Sequence, residues 1–158
     1  MNFESFEDIK VLMDNFDPAS LLPDLSTVVG KVEFITRLAV MVGPILLLVL
    51  GILYFFAAPR EANYRFGYRC YFGMGSEEAW RFTQRFAGLV WGALGLVLTV
   101  VMLIITGSFG GNPIMDIIAK GARCLLWEGA LILLSILGIN TMAMICYDRK
   151  GMRRKNFE

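Results

Sequence analysis

The chain has 158 residues, 56% of them hydrophobic and 18% charged, and its 15 basic and 14 acidic residues leave a net charge of +1. A soluble domain carries roughly 45–50% apolar and about 25% charged residues, so both figures point to burial in lipid and exclude disorder. The charge offers no field to hold a nucleic acid, and the lack of histidine removes the commonest general base and zinc ligand.

Residues 1–37 are expected to form an external amphipathic helical segment. Phe3, Phe6, Ile9, Met13 and Phe16 recur at three- and four-residue steps, with Glu4, Glu7, Asp8 and Asp14 elsewhere around the helix. The stripe packs on the protein's own helices or lies against lipid. Asp17-Pro18, and Asp24 with Ser26 after Pro23, offer helix starts. No basic n-region or early apolar stretch marks a cleaved signal, so the first span is expected to act as its own insertion signal.

Three apolar runs follow, at 38–58, 86–106 and 124–146. The first two are uncharged and 21 residues long, enough at about 1.5 Å per residue to cross a hydrocarbon core of about 30 Å. The fold class is therefore all-α, a polytopic membrane protein with three transmembrane helices. Gly43-Pro44 in the first span predicts a kink. In the second, Gly88, Gly92 and Gly95 lie on neighbouring turns, and the GxxxG pair suits either homo-oligomerisation or packing within the chain. The third is interrupted by Glu128 and Asn140. An acid within a span faces the bundle interior or a watery cavity, unless it lies near the boundary and reaches Arg123 or Lys120.

Orientation is read from lysine and arginine. Three precede the first span and two lie in the 107–123 loop, against five in the 59–85 loop and five in the 147–158 tail. The positive-inside rule then places the 59–85 loop and the C-terminus in the cytoplasm, and the N-terminus and the 107–123 loop outside. On this reading Cys70 and Cys146 stay reduced, and Cys124 lies at the other end of the third span. The basic tail is expected to sit near anionic lipid, and Cys146 beside it offers a thiol for reversible acylation.

The 59–85 loop carries the most information. Ser76 followed by Glu77 and Glu78 predicts a helix start that runs into the second span, with Trp80 and Gln84 sharing one face and Arg81 and Arg85 the next. Tyr64, Tyr68, Tyr71 and Trp80 suit an interfacial aromatic belt, and the arginines suit lipid phosphate. Gly67 permits a turn that a side chain would block. Arg69 either pins the loop to Glu77 or Glu78, or offers itself to an anionic ligand or partner.

The order Asn63, Gly67-Tyr68-Arg69, a glycine-bearing turn, Ser76-Glu77-Glu78, Trp80, Gln84 and Gly88 resembles the signature of the SdpI family. Cys70-Tyr71 replaces a common Thr-Pro, and Gln84 a frequent Asn. These are small bacterial integral membrane proteins, named for a member that confers immunity to a secreted peptide toxin. The resemblance implies a non-enzymatic protein that protects against or senses an antibacterial peptide, with a cytoplasmic face that sequesters a repressor. Two other readings stand beside it. One is a small transporter built around Glu128 and Asn140. The other is a structural subunit that binds a membrane-protein partner through Gly88 and Gly92. No nucleophile–base pair, metal cluster or phosphate loop is legible, so no catalytic residue, metal or cofactor is expected.

Overall fold

The computed structural model describes residues 25–62 and 65–154. Among them are three helices, α1 (Leu25–Phe56), α2 (Glu77–Gly107) and α3 (Ile114–Cys146), and no strand. Each is long and apolar enough to cross a membrane. The 32, 31 and 33 residues correspond to about 46–50 Å of helix, more than the hydrocarbon core alone requires. α1 stops shortly before Pro59, whose ring disfavours helix in the residue preceding it. Between α2 and α3 the chain turns in six residues, with Gly111 at φ +76° and Pro113 at the N-cap.

All three helices outrun the charge-free stretches. The segment 114–123, expected to be loop, is the opening of α3. Its charges do not prevent this because they avoid the packed face: Ile117, Gly121 and Cys124 are buried, whereas Asp116 and Arg123 are exposed. Residues 25–37 likewise belong to α1, not to a separate interfacial segment. The Phe3–Phe16 stripe and the Asp17-Pro18 start lie outside the described residues.

Small residues set the packing. α1 runs antiparallel to α2: Gly51 meets the backbone of Gly92, Gly95 that of Leu48, and Gly88 that of Phe55, each too close to admit a side chain. α3 runs parallel to α1, with Gly121 against Thr36 and Glu128 against Gly43. Between α2 and α3, Trp91 Nε1 donates to Ser135 Oγ at 3.0 Å. Val40, Leu47, Trp91, Leu98, Met102 and Ile139 fill the space between the helices. Outward-facing Leu46, Ile104, Leu126, Trp127 and Leu134 are well over half exposed, as a lipid-facing surface requires.

Candidate functional site

The loop joining α1 to α2 is held by side chains from the first turns of α2. Ser76 caps that helix, its Oγ accepting from the Ala79 amide at 3.1 Å, and Glu77 and Glu78 occupy the first turn as the helix dipole favours. Trp80, Thr83, Gln84 and Ala87 then follow at helical spacing and are all buried. Trp80 Nε1 donates to the Pro59 carbonyl at 2.9 Å, tying the exit of α1 to α2.

Gln84 clasps the loop at one residue. Its Oε1 accepts from the Tyr68 amide at 2.7 Å, and its Nε2 donates to the Tyr68 carbonyl at 2.6 Å. A side-chain amide thus supplies both bonds that a neighbouring strand would supply. Gly67 makes the approach feasible: its φ is +120°, and a Cβ would stand 2.7 Å from the Trp80 ring and 2.9 Å from Gln84 Oε1. The Tyr68 side chain turns inward. Its hydroxyl donates to Asn140 Oδ1 at 3.0 Å, with the Ile136 carbonyl at 3.3 Å as a second acceptor, and its ring meets Trp91 edge-on at 5.3 Å. Burial, then the neighbouring Cys70 and Tyr54, push the Tyr68 phenol up to about 12.

With Tyr68 fixed inward, Arg69 points out and is exposed. It does not meet Glu77 or Glu78: Glu77 pairs with Arg81, and Glu78 accepts from the Tyr147 hydroxyl at 3.5 Å. Arg69 instead borders a groove of about 460 Å³ with Tyr71, Phe72, Leu137, Asn140 and Thr141. The loop beyond it is a tight turn, in which the Gly73 amide donates to Cys70 Sγ and the Met74 amide to the Cys70 carbonyl, both at 3.2 Å.

The tail completes this end of the bundle, and its part in the fold was not anticipated from sequence. Asp148 Oδ1 accepts from the Lys150 and Met152 amides at 2.9 and 2.8 Å, closing a turn in which Gly151 has φ +73°. Ser76 Oγ donates to the Gly151 carbonyl at 2.7 Å, and Gly75 packs against Gly151 backbone to backbone. Tyr147 is buried beside Phe82; burial and then Glu78 raise its phenol, with Arg153 opposing them. The Asp148-Arg149-Lys150-Gly151 sequence was the available signal, an Asx turn with glycine where φ is positive.

Of the residues singled out from sequence, Gly67, Tyr68, Arg69, Trp80, Gln84 and Asn140 converge here, with Glu77 and Glu78 at the adjoining helix start. Asn63 lies outside the described residues. Glu128 and Asn140 do not form one site: twelve residues, about 18 Å of helix, separate them. Nor does Glu128 lie near a helix end or reach Arg123 or Lys120, because α3 begins ten residues before its charge-free run does. Gly88 and Gly95 pack against α1 within the chain.

A family model described as the SdpI/YfhL protein family matches residues 60–147, from the clasped loop to the end of α3. No curated protein and no solved structure matches the chain.

Proposed function

The chain belongs to the SdpI/YfhL family, and from that premise we propose that it protects a bacterium against an antibacterial peptide toxin, or senses one, from the cytoplasmic membrane. It acts by binding and not by catalysis. The loop and tail face the cytoplasm, in keeping with their ten lysines and arginines. The observation that carries this reading is the presentation of Arg69: Gln84 and Trp80 hold the loop from α2 while Tyr68 ties it to α3. An exposed guanidinium on so constrained a loop suits a carboxylate or another acidic group of a cytosolic partner, such as a repressor. A toxin that shifts α3 against α2 would act on the loop through the Tyr68–Asn140 bond.

The test is genetic. Deleting the gene in its host should raise sensitivity to at least one peptide of a toxin panel. Wild type should restore resistance, and Arg69→Ala at equal membrane abundance should not. Unchanged sensitivity on deletion refutes the role, and full rescue by Arg69→Ala refutes the assignment of Arg69.

A further inference from the structure

Glu128 takes no part in the loop end. It lies fourteen residues into α3, about 21 Å along the helix, and is 3% exposed. Its Oε1 is buried without a hydrogen-bond partner. The carboxyl fills the space left by the missing side chain of Gly43, where a Cβ would stand 2.8 Å from Oε2. The next residue, Pro44, is buried and has no N–H, so the carbonyl of the fully buried Val40 lacks its usual helical donor. A carboxyl oxygen without a donor on α3 and a carbonyl without its usual helical donor on α1 thus lie along the same contact.

No counter-charge answers them among the described residues. On α1, Arg37 pairs with Glu33, well toward the helix start. On α3, Arg123 is exposed with its Nε donating to the Ala119 carbonyl at 3.3 Å, Lys120 and Asp116 lie further out, and the neighbouring turn offers only the thiol of Cys124. On α2, residues 86–107 contain no Asp, Glu, Lys or Arg. A carboxylate at this place would have neither cation nor donor, whereas the neutral acid brings an O–H of its own.

We propose that Glu128 is a proton-binding site between α1 and α3, independent of the toxin reading. The carboxylate takes one proton from water and holds it as the neutral acid. Returning that proton to water leaves an uncompensated charge in the α1–α3 contact and loosens it.

An apolar carbodiimide, which couples to neutral carboxyls within a membrane, tests this on the purified full chain in lipid nanodiscs. Mass spectrometry should find Glu128 modified in acid, with yield falling about tenfold per pH unit above its titration. Separately, wild-type thermal stability should be lower in alkaline than in acidic buffer, and Glu128→Gln, alike in shape but without the charge, should lack that difference. Parallel profiles for the two proteins overturn the proposal. So does labelling of Glu128 that is absent or indifferent to pH, a result that decides the matter even if the variant fails to fold.

Discussion

Gln84 and Tyr68 show how one side chain can hold a loop that has no secondary structure of its own. Truncating Gln84 to Ala strands the Tyr68 amide and carbonyl, and at about 1–3 kcal/mol for each buried group left unpaired the loss should be about 2 kcal/mol or more. Thermal unfolding in detergent measures it. Gly67→Ala combines a residue held at positive φ with a collision against the Trp80 ring, and about 1–3 kcal/mol is expected from the backbone alone. Tyr68 also imposes a pH dependence. Its phenol ionises near 10 in the unfolded chain and at about 12 in the fold, so its contribution is complete below about pH 10 and disappears as pH climbs toward 12. Tyr68→Phe should flatten that alkaline fall while costing about 1 kcal/mol at neutral pH through the lost bond to Asn140.

At the scale of the helices, α1 and α2 approach closely because glycine occupies their contact on both sides. A valine at Gly88 would press on the Phe55 backbone, from which even a Cβ stands only 2.6 Å away. Gly88→Val should therefore destabilise the monomer by about 2 kcal/mol, in the range of overpacked cores, without altering its association state in cross-linking or native mass spectrometry. A selective loss of oligomers would mean that the glycine face serves a second chain. The first turn of α2 is a junction of another kind, since the Ser76 hydroxyl both caps the helix and holds the tail turn at Gly151. Ser76→Ala should cost about 1–2 kcal/mol and expose the amides of 148–153 to hydrogen exchange.

The whole molecule is a bundle whose ends differ. One end carries the clasped loop and docked tail, while the other carries the short α2–α3 turn and the Glu33–Arg37 pair. The excess of lysine and arginine at the first end makes orientation testable with reporters fused at the C-terminus. A fluorescent protein that matures only in the cytoplasm should be bright, and alkaline phosphatase, active only outside, should be silent. The reverse result would place Arg69 on the outer surface and remove a cytosolic partner from consideration.

Three spans, the Ser76 start of α2 and the family signature were legible in the chain itself, because each is local: a hydrophobic run, a cap with acids behind it, an order of residues over two dozen positions. The true length of α3 was not. Asp116, Lys120 and Arg123 lower the mean hydropathy of its opening turns, yet only packing reveals that they leave its buried face apolar. Gly67-Tyr68-Arg69 could be recognised as a motif, but its physical division of labour could not. Which residue points inward depends on Gln84, sixteen positions later, and Asn140, seventy-two positions later. The same holds for Glu128. Sequence made it an acid in a span with a choice of partners, and tertiary structure placed it against Gly43, beyond the reach of any cation among the described residues, because the register of α3 on α1 is set by side-chain volumes on two helices whose facing residues lie 85 positions apart in sequence.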